Sequence, residues 1–238
     1  MKKLLVIILS FVFISANAQT VDEVIQKYSA KLGGLDAFNK IKTAKITATY
    51  TTQGMDLPMT IQIVNGKAAR TDVEAMGSQV IRAYKDGKAW MQNPFAGATM
   101  PKEVTGDELP DFKAQSMMAS PLMDYKARGH KVELAGQTDV EGVKTFKIKL
   151  VSKDDNRTTY YYIGAADYTL IKSEQDRDIQ GQTKTIETWY SDSKDFGGLK
   201  FFMVRTQKID GEAFQSTTFS NVELNVAIDE KIFDMPKQ

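Results

Sequence analysis

Cysteine is absent from this 238-residue chain and histidine occurs once, at His130. Without thiols there is no disulfide framework, no Cys-His catalysis and no thiolate metal centre, and one histidine falls short of the ligand set of a zinc site. No Gly-x-Ser-x-Gly turn accompanies His130, so it reads as a loop or strand-edge residue and not as a catalytic base. Charge of one sign is also missing. The 31 basic residues nearly balance the 30 acidic ones, which leaves no field strong enough to single out nucleic acid or an anionic membrane surface as a partner. Phosphate-binding loops are lacking too, since neither Gly33-Gly34 nor Gly197-Gly198 has the required spacing. No cofactor and no metal is expected.

The chain opens with Lys2 and Lys3, an apolar run from Leu4 to Ile14 broken only by Ser10, and the small-x-small triplet Ala16-Asn17-Ala18. That order is a secretory signal peptide over residues 1–18, with cleavage before Gln19. The run is too short for a membrane span, which needs ~20 apolar residues. A periplasmic, soluble and monomeric product is expected. It has no cysteine after the cut to carry a lipid, and its length is enough for a core that does without disulfides.

Residues 19–238 read as one mainly β domain with a few helices. Thr20 and Glu23 form a capping box, followed by Val21, Val24, Ile25, Tyr28 and Leu32 at helical spacing and a Gly33-Gly34 stop. A second short helix is expected from Leu35, Phe38 and Ile41. From Thr43 onward the period drops to two, with Asn65-Gly66 and Asp86-Gly87 as hairpin turns, so neighbouring strands should pair antiparallel in order. Evenly spaced strands with few helices between them favour a strongly curved antiparallel sheet or barrel. In the alternation Phe146, Ile148, Leu150 the apolar residues point inward, with Lys147 and Lys149 outward. Residues 93–128 hold four prolines around a loose apolar stripe, and read as short helices forming a lid.

Carboxylates offer the one route to an enzyme. Glu174, Asp176 and Asp178 alternate on one strand face, Tyr160, Tyr162 and Trp189 are aromatics that could join them, and Asp154-Asp155-Asn156 is an oxygen-rich turn of the kind that holds calcium. The commoner uses of these patterns are the water face of a sheet, cross-strand packing and turn chemistry. No catalytic residue is assigned and no enzyme activity is expected. The 11 methionines are concentrated between Met55 and Met123, and such soft side chains suit a surface that accepts varied apolar ligands.

Leu32-Gly33-Gly34-Leu35-Asp36-Ala37-Phe38, the first strand at Lys45 to Thr51, Asp86-Gly87-Lys88-Ala89-Trp90 and the closing Ile228-Asp229-Glu230-Lys231-Ile232-Phe233-Asp234-Met235-Pro236 resemble the outer-membrane lipoprotein-sorting proteins of the LolA/LolB-like superfamily. The resemblance implies a single unclosed antiparallel β-barrel of about eleven strands, apolar on its concave side and plugged by helices. It implies a non-enzymatic carrier of lipoprotein acyl chains or other lipid, with Trp90, Met91, Phe95, Met117, Met118 and Leu122 as ligand-binding candidates. It also implies an arginine that ties down the lid, for which Arg70 and Arg82 are the nearest candidates. The alternative expectation is a structural or assembly module of the envelope that holds a protein partner.

Overall fold

The computed structural model describes residues 19–179 and 181–237, so the signal peptide expected over residues 1–18 lies outside the described residues. The first helix, α1 (Val21–Lys31), starts as its sequence dictates. The Glu23 N–H donates to Thr20 Oγ1 at 3.2 Å and the Thr20 N–H to Glu23 Oε2 at 3.1 Å, closing both halves of the capping box. Val24, Ile25 and Tyr28 form its buried face. The helix ends at Gly33, where φ is +111° and a Cβ would lie 2.4 Å from the Gly198 carbonyl oxygen. Only glycine permits that approach, and it lets the Lys200 N–H reach the Leu32 carbonyl at 3.0 Å. A short helix, α2 (Leu35–Lys40), follows.

Thirteen strands then form one antiparallel sheet. They are β1 (Thr43–Thr52), β2 (Met55–Val64), β3 (Ala68–Ala75), β4 (Ser78–Lys85), β5 (Lys88–Asn93), β6 (Ala98–Val104), β7 (Lys131–Val140), β8 (Val143–Val151), β9 (Thr158–Gly164), β10 (Leu170–Ile179), β11 (Gln182–Phe196), β12 (Leu199–Ile209) and β13 (Glu212–Leu224). The spatial order β6-β5-β4-β3-β2-β1-β13-β12-β11-β10-β9-β8-β7 is two meanders joined where β1 pairs with β13. The edges, β6 and β7, do not meet, so the sheet curves without closing. The turn at Asp86-Gly87 has positive φ at both residues, 48° and 88°, as a two-residue hairpin demands.

The thirteen strands lie at the top of the eleven to thirteen that the strand spacing predicts and exceed the eleven or so that the resemblance implies; β6 is a strand that reads as loop in the sequence. Pro101 and the short spacing made residues 93–104 read as lid, yet Ala89 pairs with Val104 and Met91 with Lys102. Proline and lysine are tolerated there because β6 is an edge strand whose outer side needs no partner. The lid proper is therefore the stretch 105–130 linking the two edges, with helices α3 (Leu109–Gln115) and α4 (Tyr125–Arg128).

One face of the sheet carries the main core. Phe146, Ile148 and Leu150 point inward beneath α1 and the lid, where they meet Tyr28, Leu122 and Met123. A second cluster of Ala44, Ile46, Ala48, Met203 and Phe219 fills the bottom of the curve. The other face bears a smaller cluster of Ile81, Ala83 and Trp90. The C-terminal segment straps that side: Phe233 is 1% exposed, and the carbonyls of Ile232 and Phe233 accept from Arg70 and from the Trp90 indole at 2.7 and 2.8 Å.

Candidate functional site: the trough beneath the lid

Helix α3 spans the trough from wall to wall. On one side Phe112 is 1% exposed and packs with Tyr84, Ala89 and Val104, with the Arg82 guanidinium 4.0 Å from its ring centroid. Arg82 is held below its ordinary pKa by burial, against the pull of Asp111 and Glu108, and its Nε has no hydrogen-bond partner. On the other side Asp111 accepts from Arg157 at 2.7 Å and from both terminal nitrogens of Arg177 at 2.9 and 3.0 Å. Burial pushes the Asp111 carboxyl up, but the two arginines outweigh it and hold it below the usual carboxylate range. Lys113 adds an ion pair to Asp154 at 2.9 Å.

Past α3 the lid is tied to the turn between β2 and β3. The Gly66 N–H donates to the Ser116 carbonyl at 2.8 Å, and the Met118 N–H to Asn65 Oδ1 at 3.0 Å. Ala119, Leu122 and Met123 then sink into the core under α1. The lid is thus anchored apolarly at its centre and electrostatically over α3.

Between α3, the following loop and strands β8 to β10 lies a cavity of about 650 Å³, within the ~300–1,000 Å³ usual for ligand sites. Its apolar lining comes from Met117, Pro110, Pro121, Ala114, Leu150 and Tyr161. A second space of about 380 Å³ shares Thr159, Gln175 and Arg177 with it and reaches Thr188 and Gln207. That part of the floor is polar. Tyr50 donates to Gln215, Gln215 to Gln207, Gln207 to Thr188 at 3.4 Å, and Gln175 to Thr159 at 2.9 Å, a nearly continuous amide and hydroxyl row across the sheet. His130 lines the rim of the first cavity, and its Nδ1 accepts the Lys153 N–H at 3.1 Å. Burial, then Arg128, pushes its pKa down.

The six candidate ligand residues fall in different places. Met117 lines the open cavity. Met118 packs against both large core clusters, Leu122 is fully buried beneath the lid, and Met91 packs under α3. Phe95 is 56% exposed on the turn between β5 and β6. Trp90 faces away from the trough, because alternation puts it on the opposite side from Met91, under the C-terminal strap. The same parity divides the two arginines: Arg70 faces the strap and pairs with Asp72 at 2.7 Å, while Arg82 faces the lid. The acidic face expected from Glu174 is an outward network, in which Lys172 pairs with Glu174 and Glu187 at 2.7 and 2.6 Å. In the oxygen-rich turn Asp154 and Asp155 are taken by Lys113 and Arg157. Sequence reasoning missed the Asp111 latch, whose partners lie 46 and 66 residues away, and the polar row, whose members come from six strands.

The overall fold, an unclosed curved antiparallel sheet with a few helices, superposes on several solved structures. The fold is LolA-like. A LolA superfamily protein from Nitrosomonas europaea superposes with a TM-score of 0.59 at 11% identity, over 91% of this chain and 98% of that one. A domain of an outer-membrane lipoprotein-sorting protein from Vibrio parahaemolyticus gives 0.59 at 11% identity, over 90% and 96%. A DUF1329 family protein from Desulfovibrio piger gives 0.58 at 12% identity, over 91% and 98%. No family model matches the sequence. No curated protein matches it either. Among the described residues no helix is long and apolar enough to cross a membrane.

Proposed function

We propose that the protein is an exported, periplasmic carrier that holds the acyl chain of a lipoprotein or another apolar ligand beneath its lid and releases it without chemical change. The observation that carries this reading is the cavity of about 650 Å³ between a latched helix and the sheet, with Met117, Leu150 and Tyr161 on its apolar lining. One structural neighbour is a domain of a lipoprotein-sorting protein, which is in keeping with it. Each methylene removed from water contributes ~0.8 kcal/mol, so a single tail supplies the affinity a carrier needs even after the cost of association. A lid held partly by ion pairs gives a way to let go, since such pairs exchange readily with water.

The test is native mass spectrometry of the protein purified from its own periplasm, paired with titration by a palmitoylated peptide. Co-purified lipid, or saturable peptide binding that Met117→Trp abolishes by filling the cavity, is the expected result. A stoichiometric protein partner in place of lipid, with no peptide binding, overturns the reading in favour of an assembly module.

A further inference from the structure

The inward face of the sheet carries arginines out of proportion to its carboxylates. Arg82 and Arg177 serve the lid, the first beneath Phe112 and the second bonded to Asp111. Arg205 is different. It stands on β12 near the middle of the sheet and pairs across with Tyr190 on β11 and Thr217 on β13, which are uncharged. Its guanidinium lies 4.9 Å from the Phe219 ring centroid, a member of the inward core cluster, so it faces the trough. Yet it is exposed, and among the described residues no carboxylate pairs with it. On β11, Glu187 points to the outward face and is taken by Lys172 and Trp189.

An exposed arginine on an outer surface is ordinary, but one on the covered face of a half-barrel marks where the trough stays open. Two residues further along the same face, roughly 7 Å by strand rise, Gln207 begins the polar space of about 380 Å³. That space shares Arg177, Gln175 and Thr159 with the apolar cavity. An always-charged fork therefore stands at one end of a path whose other end is apolar, and a guanidinium recognises phosphate or carboxylate oxygens bidentately.

We propose that the carried ligand is an anionic amphiphile, its phosphate or carboxylate held by Arg205 and its chain lying past the glutamine row toward Met117. This rests on the carrier reading above and narrows it to a ligand class.

Displacement of a bound fluorescent apolar dye tests the pairing at constant chain length. Palmitate and hexadecyl phosphate are compared with neutral N-methylpalmitamide and with inorganic phosphate, on the full chain and its Arg205→Gln and Arg205→Lys variants. Both long-chain anions should bind at least tenfold more tightly than the amide, about 1.4 kcal/mol. Arg205→Gln should remove that preference while leaving amide binding and thermal unfolding unchanged, and Arg205→Lys should retain part of it. Equal binding of anions and amide by the native chain, or a preference that survives Arg205→Gln, overturns the proposal and leaves the carrier reading intact. Inorganic phosphate that displaces the dye as well as hexadecyl phosphate does overturns it in favour of a plain anion site. Failure of all three chain-bearing probes sinks the carrier reading itself.

Discussion

Phe112 seats the lid by two contacts of different kinds: apolar packing on Tyr84, Ala89 and Val104, and its face toward the Arg82 guanidinium. Phe112→Ala removes both and leaves a cavity where α3 meets β4, a loss of about 3 kcal/mol or more. Because α3 is peripheral to the sheet, that loss should appear as local opening before global unfolding. Hydrogen exchange over Leu109–Gln115 should therefore quicken by about a hundredfold, with exchange in β12 and β13 unchanged; unaltered α3 protection would mean the helix is held without this ring. His130 acts differently, through its proton. Burial and Arg128 lower its pKa, so the unfolded chain takes up the proton first as pH falls. Its contribution is present above the unfolded value of about 6.5 and is lost below it. Protonation also turns the Nδ1 acceptor of the Lys153 N–H into a donor. His130→Asn keeps an acceptor without titrating, and its melting temperature should fall less than the native protein's between pH 7 and pH 5; parallel curves would refute this role. As a loop or strand-edge residue His130 was legible in the sequence, since it stands one residue before β7. Arg82 as the lid arginine was not separable from Arg70, because the two differ only in which face their strands present.

The elements were the most legible level, for reasons that lie in the chain itself. Capping chemistry set α1, two-residue turns set the hairpins, and alternation set Phe146, Ile148 and Leu150 inward. The part that escaped was β6, where a proline in an edge strand resembles a loop, and the ion pairs that join α3 to β10 across a long sequence gap. Those pairs make α3 a latch whose strength depends on one carboxylate. Asp111 is held below the usual carboxylate range, so its contribution is fully present above about pH 4, the unfolded value, and is lost as pH falls through its lower folded value. Asp111→Asn leaves Arg157 and Arg177 facing an amide. With side chains a fifth to a third exposed, the cost is about 1–2 kcal/mol, well under that of a fully buried pair. At pH 7 the variant should show faster exchange in α3, while the native chain reaches that state only in strong acid. An exchange rate in the variant equal to the native one would show that the latch is decorative.

At the scale of the whole molecule, thirteen strands ordered as two meanders leave β6 and β7 as unjoined edges; regular strand spacing had pointed to a curved antiparallel sheet or barrel, and the open edges came only from the family resemblance. The character of the trough did not follow. A one-residue change of register exchanges inside for outside along a strand, so a row such as Tyr50, Gln215, Gln207 and Thr188 becomes visible only when four strands are aligned. The result is a trough whose apolar cavity beneath α3 continues into a polar space, and this shapes the expected energetics of binding. A ligand that enters such a preformed space binds the folded chain and not the unfolded one, so a palmitoylated peptide at a hundred times its dissociation constant should stabilise the fold by about 2.7 kcal/mol. For a chain of this size that is a rise in melting temperature of roughly 5–10 °C. If the lid must open to admit the tail and then closes over it, Asp111→Asn should speed both association and release while leaving the stabilisation at saturation nearly unchanged. Stopped-flow fluorescence reads the two rates and calorimetry reads the rise. Rates untouched by the substitution would place ligand entry elsewhere on the trough, at the open end beside Arg205 and Gln207.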